Sequence, residues 1–237
     1  MHKAAPRRFY KIVAVVAGAQ GWSVTLDDKV LRSPAKKDLN LPGRALADAI
    51  AVEWDAQTEH VRPLAMPLMQ LAATAIDRIC TDRQRIIDEL IGYARTDLVC
   101  YRATEPPALV EREAQTWDLL LAWLRRRYDV SLVATKGVVA IDQPPEAVDA
   151  LTRVLESYDD FALAALATLI QTAGSLVIGL AVAEGELTAE QGAHAAQLDE
   201  LYQTERWGED SEAVERRVTQ LAEMVAARRF LELLTQG

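Results

Sequence analysis

The sequence predicts an α+β protein, with a small antiparallel β-layer and one helix at the N-terminus and a mainly α-helical bundle after them. Three observations carry that expectation. Residues 9 to 31 are rich in β-branched and aromatic side chains interrupted by turn residues. From residue 43 onward the apolar positions recur at spacings of three and four. The stretch from Phe161 to Ala183 carries no charged residue and is flanked by Asp159, Asp160, Glu184 and Glu186. A helix apolar on every side must be buried on every side, in lipid or inside other helices. Its length would permit a membrane span. Thr168, Gln171, Thr172 and Ser175 interrupt its middle and no Lys or Arg cluster anchors its ends, so a buried central helix over 161–183 is expected and membrane insertion is not. Gly174 and Gly179 are then expected to be points of close helix approach rather than hinges.

Taken in order, Phe9, Tyr10, Ile12, Val13, Val15 and Val16 read as a strand, and Gly18 to Gly21 as a turn. Trp22, Val24 and Leu26 alternate with Ser23 and Thr25 as a half-buried strand does, Asp27 and Asp28 turn the chain into Val30 and Leu31, and Leu39 with Leu41 suggest one strand more. The run VVAGAQG at 15 to 21 has the glycines of a dinucleotide-binding turn, but a strand pattern follows them where such a site needs a helix. A hairpin is the better reading.

A first helix is predicted from Pro42 to about Gln57, with Leu46, Ile50 and Trp54 on its buried face. Trp54 and Trp22 are expected to act as structural anchors, with Glu53 and Asp55 as a solvated rim. Further helices are predicted around Leu68 to Ile79, from Arg83 to about Arg102, over Leu109 to Tyr128 and over Ala147 to Ser157, with a short extended segment at 131–139. Thr188 followed by Gln191 is a capping-box pattern opening a helix to Trp207, and Gly208 stops it. Val214, Val218, Leu221 and Val225 give a last helix, 211–234, its seam. The expected division is an N-terminal α+β domain at 1–75 and a helical bundle domain at 76–237.

Composition restricts the function. The net charge is −9 and residues 158–237 hold 14 acidic against 5 basic side chains, a balance that argues against nucleic acid, whose binding needs clustered cations. An acidic third can instead favour a basic protein surface, or simply keep the chain soluble. The first eight residues have no apolar stretch, so no transit peptide is expected and the cytoplasm is the default location. Cys80 and Cys100 stand alone and read as reduced, buried thiols. His2, His60 and His194 are scattered, so no metal is expected. A GxSxG elbow and a P-loop are both missing from the sequence, so no catalytic residue and no cofactor are assigned. What remains for an enzyme is a set of carboxylates meeting in three dimensions.

Several stretches together resemble one family: RFYK at 8–11, DDKVLRSPAK at 27–36, ALADAIAVEWDAQ at 45–57, MPLMQLAATAID at 66–77, YARTDLVCYRA at 93–103, GSLVIGLAV at 174–182 and LDELYQTERWG at 198–208. The chain is similar along nearly its whole length to the assembly chaperones of the alpha subunit of the F-type ATP synthase. That resemblance implies an α+β domain followed by a helical bundle. It implies a function without chemistry, in which a monomer transiently binds the unassembled alpha subunit and prevents its aggregation until the beta subunit replaces it. The resemblance also marks the acidic position after Leu198, commonly Glu in the family and Asp199 here. Asp199, Glu200, Gln203 and Trp207 are thus expected to line a client-binding surface, with a structural role for Asp199 through Gln203 or Arg206 as the competing reading. An adaptor for another basic protein and a carboxylate enzyme are the alternatives.

Overall fold

The computed structural model describes residues 6–19, 21–137 and 141–236. Strand β1 (Val13–Gly18) pairs antiparallel with β2 (Gly21–Leu26), Val13 opposite Leu26 and Gly18 opposite Gly21, and β3 (Lys29–Val30) adds a short third strand on β2. The turn between β2 and β3 places Asp27 and Asp28 at positive φ (47° and 64°), which short Asp side chains tolerate. The Asp27 carboxylate accepts the amides of Lys11 and Ile12, and those bonds hold its pKa below the ordinary value. The strand expected at Leu39 and Leu41 does not form. Both leucines are buried, and the segment meets β2 through an isolated bridge, Trp22 with Leu41, while Asp38 bridges Arg32 beyond the end of β3.

Helix α1 (Arg44–Asp55) lies against β1 and β2 and buries Leu46, Ala47, Ile50 and Trp54. Tyr10 packs edge-on to Trp54 at 5.6 Å between centroids, and its hydroxyl donates to the Trp54 carbonyl at 2.7 Å. Trp22 is half-buried under the Arg44 guanidinium, 5.3 Å from its ring centroid. Glu53 is not the solvated rim that its neighbours suggested. Its two oxygens accept the Leu68 and Met69 amides at 2.8 Å each, satisfying the free first turn of α2 (Pro67–Thr74), while burial raises its pKa against those two bonds.

From α2 the chain passes through a π-helical turn, Ala75–Ile79, into α3 (Cys80–Arg95). Helix was expected as far as Arg102, but α3 ends at Arg95, and Asp97 then caps a short 3-10 turn, Leu98–Cys100. Tyr101–Arg102 becomes β4, parallel to β5 (Thr135–Lys136). Of the extended segment read at 131–139, residues 138 and 139 lie outside the described residues. Helix α4 (Pro107–Tyr128) is closed by Asp129 at φ 56°, and α5 (Pro145–Glu156) follows. Cys100 is buried as expected, whereas Cys80 is exposed.

The uncharged stretch is two helices, not one. Helix α6 (Asp160–Ala173) stops at Gly174, whose φ of 65° is the left-handed value that ends helices, and the Ser175 amide reaches back to the Ile170 carbonyl. Ser175 then caps α7 (Leu176–Glu184) by accepting the Ile178 amide at 3.0 Å. A Cβ at Gly174 would meet nothing within 4 Å, so this glycine is there for the turn. Gly179 is the close approach, because a Cβ there would lie 2.5 Å from Ile170. Every residue of Leu176–Val182 is buried, as the absence of charge requires.

The helix expected from Thr188 to Trp207 is also divided, into α8 (Ala189–Ala196) and α9 (Leu198–Trp207), with Gln197 at φ −104° and ψ 12° between them. The capping box of Thr188 and Gln191 opens α8 and Gly208 closes α9. Between the two helices, the Trp117 indole donates to the Ala195 carbonyl at 2.9 Å, taking the acceptor that an unbroken helix would give to the Asp199 amide. Helix α10 (Ser211–Leu234) completes the chain. The contacts divide into two compact units, one of Met1–Arg83, Asp159–Ala165 and Arg229–Gly237, the other of Gln84–Tyr158 and Leu166–Arg228. Among the described residues, no helix is long and apolar enough to cross a membrane.

Candidate functional site

The four residues singled out on α9 do not form one cluster. Glu200, Gln203 and Trp207 recur one turn apart along one side of the helix. Glu200 accepts from Arg216 at 2.9 Å and Arg217 at 3.0 Å, and Arg217 also reaches Glu209 at 3.1 Å, so α9 and the start of α10 are tied by ions. Gln203 is exposed, and Trp207 is 77% exposed, an unusual state for so large an apolar side chain.

Asp199 points elsewhere. Its carboxyl meets that of Glu113, which comes from α4 and is 1% exposed. Neither Gln203 nor Arg206 is its partner in the way the competing reading supposed: Arg206 lies over the Tyr202 ring, 4.3 Å from the centroid. One Glu113 oxygen accepts the Ala103 amide at 2.8 Å. Its other oxygen, Oε1, and Oδ1 of Asp199 are both buried without a donor. Two carboxylates in that position repel and leave two acceptors empty, whereas one proton between them removes the repulsion and supplies a donor. Burial raises the Glu113 pKa to about 7, the Ala103 amide opposes it, and Asp199 raises it further. Burial also raises the pKa of Asp199, with the hydrogen bond to Glu113 acting the other way. Around the pair, Arg112 binds Glu205 at 2.8 Å and stacks on Tyr202 at 5.2 Å, a second attachment between α4 and α9.

Sequence reasoning did not find Glu113. The signal was present, because Leu109, Glu113, Trp117, Leu120 and Leu124 fall on a single stripe of α4 and all are buried, so an acid stood on an apolar face. Asp97 was missed likewise. Fully buried, it accepts from the Ser175 hydroxyl at 2.5 Å and from the amides of Val177 at 3.1 Å and Val99 at 3.2 Å. Burial raises its pKa to about 6 against those bonds. Among the described residues no group of His, Cys, Asp and Glu is arranged to hold a metal ion.

A small antiparallel sheet carrying one helix, followed by a helical region, defines an α+β protein with an exposed aromatic, Trp207, at the end of α9. Residues 7–125 match the model of the ATP12 chaperone protein family. The chain is 39% identical to the Paracoccus denitrificans Atp12 crystal structure, over 97% of this chain and 98% of that one, with a TM-score of 0.93. A structure from Agrobacterium tumefaciens described as a candidate chaperone is 45% identical over 98% of this chain and 88% of its own, also at a TM-score of 0.93. The mitochondrial protein atp12 of Schizosaccharomyces pombe is 27% identical over 221 residues, 88% of this chain and 76% of that protein. The chain belongs to the ATP12 chaperone family, in agreement with the resemblance carried by its motifs.

Proposed function

We propose that this protein binds the unassembled alpha subunit of the F-type ATP synthase catalytic sector and keeps it from aggregating until the beta subunit takes over the contact. The observation that supports this reading most is likeness along the whole chain, 39% identity over 97% of its length at a TM-score of 0.93 to a solved Atp12. An orphan subunit exposes an apolar contact surface that otherwise finds wrong partners, and covering it needs a binding face rather than a reaction. Glu200, Gln203 and Trp207 supply such a face on α9. Asp199 acts behind it, holding α9 to α4 through Glu113 so that Trp207 is presented in one orientation. The chaperone works as a monomer, without cofactor or metal, and the complex is transient.

The test is gel filtration of an equimolar mixture with purified alpha subunit from the same source. A co-eluting complex that dissociates on adding beta subunit is the expected result. Separate elution of the two proteins at micromolar concentration would reject the reading.

A further inference from the structure

A second surface lies along α4, and we propose that it is the docking groove for a helical, Lys- or Arg-bearing segment of the client. This rests on the proposed chaperone function and adds a second contact to it. Between α4 and α8 runs a groove of about 560 Å³, within the size range of functional clefts. Leu119 and Leu120 of α4, Leu187 of the connection before α8, and Ala195 of α8 give it an apolar lining. Leu119 is 68% exposed in the middle of a long helix and adds its side chain to the apolar lining of the groove.

Charge selects the occupant. Glu186 and Glu190 line the same groove. Glu190 sits in the first turn of α8, where its own amide and the Thr188 hydroxyl hold its pKa below the ordinary value, so it is ionised throughout the neutral range. Arg126 is 3.9 Å from Glu186, the outer limit of an ion pair, and leaves that carboxylate available to a second cation. An apolar lining with carboxylates beside it is the complement of an apolar residue flanked by Lys or Arg.

The walls select its conformation. The sides of α4 and α8 have their main-chain groups bonded within the helices and offer no row of free donors and acceptors to an incoming strand. A segment lying in the groove must satisfy its own main chain, which a helix does, with apolar residues at three- and four-residue spacing facing Leu119 and Leu187. Ala195, which lines the groove, is also tied to the base of α9. Trp117, on the same helix as Leu119, holds the Ala195 carbonyl just before α9 begins.

The experiment places photo-reactive benzoylphenylalanine at position 119 of the full chain, adds purified alpha subunit, irradiates, and identifies the captured peptide by mass spectrometry. Alongside, affinity for alpha subunit is measured for Leu119→Asp and for the double variant Glu186→Lys with Glu190→Lys, with thermal melting as the control for folding. Expected are capture of a basic amphipathic helix, at least about tenfold weaker binding for each variant at unchanged melting, and wild-type affinity that falls with added salt. Capture of an extended or acidic segment overturns the proposal, as does wild-type affinity in both variants. Capture of this chain itself, with a dimer by gel filtration that Leu119→Asp abolishes, assigns the groove to a second copy and overturns the proposal. Failure of the wild type to bind alpha subunit at all rejects the chaperone reading, and the groove's client with it. Binding that survives both groove variants but is lost in Trp207→Ala keeps the chaperone reading and rejects only the groove.

Discussion

Two buried acid sites in the helical unit meet the same cost in opposite ways. Asp97 is surrounded by donors, the Ser175 hydroxyl and the amides of Val99 and Val177, the two amides belonging to first turns that would otherwise leave them unsatisfied. Glu113 and Asp199 face each other instead, with one oxygen on each left without a donor. The first arrangement is what a fold requires where two helices are broken and restarted, because each bond fixes the start of α7 or of the Leu98–Cys100 turn. The second stabilises little by itself, since a shared proton only removes a repulsion that the sequence created by placing two acids there. What it adds is sensitivity: α9, which presents Trp207, is held to α4 by a pair whose proton is lost near neutral pH.

The largest expected effect comes from the satisfied site. Asp97→Ala removes an acceptor and leaves the Ser175 hydroxyl and two amides buried without a partner, a change of about 3 kcal/mol or more in unfolding free energy. Chemical denaturation measures it directly, and a loss below about 1 kcal/mol would show that the two sites are alike after all.

Dependence on pH separates them more sharply. Both groups hold a proton more tightly when folded than when unfolded, so the stabilisation each gives is whole below its unfolded pKa and is lost as the pH rises through its folded one. For Asp97 that window runs from its ordinary 3.8 to about 6, and for Glu113 from 4.5 to about 7. Wild-type stability should therefore decline from about pH 5 to pH 7, Asp97 contributing mainly below about 6.5 and the pair carrying what remains above it, by up to about 1.4 kcal/mol per pH unit for each group. In Glu113→Gln an amide supplies the donor at every pH, so that decline should flatten and the variant should exceed wild type above pH 7. Denaturation at several pH values measures this, and an unchanged slope would contradict the shared proton.

The smallest effect on stability belongs to Trp207→Ala. A side chain 77% exposed should change unfolding free energy by no more than about 0.5 kcal/mol when truncated. Client protection should nevertheless be lost, and a variant that melts early instead would make Trp207 part of the fold.

The fold class was legible because the apolar stripes of α1 and α4 reflect burial directly. Two patterns misled: Ser23 and Thr25 are buried along with Val24 and Leu26, so β2 is covered on both faces, and the seam read on α10 is not its buried side, since Val218 and Val225 are exposed while Met224, Ala227, Phe230 and Leu231 are buried. The breaks were not legible. Gly174 and Ser175 interrupt a stretch that is equally apolar on both sides, so hydrophobicity carried no sign of the turn, and only the pairing of a glycine with a capping serine did. The break at Gln197 goes with a tryptophan from α4 bonding the Ala195 carbonyl, a long-range contact that no local pattern encodes. Asp199 could be singled out by the family motif around it. Its partner could not, because the two acids meet only after α4 and α9 have packed, although Glu113 on a buried stripe was a visible anomaly.

The most direct test of the central claim is light scattering of purified alpha subunit on warming, with and without this protein at an equal molar ratio. Suppression of scattering, relieved when beta subunit is added, is the predicted result. Scattering that rises as fast as in the absence of this protein would contradict the account.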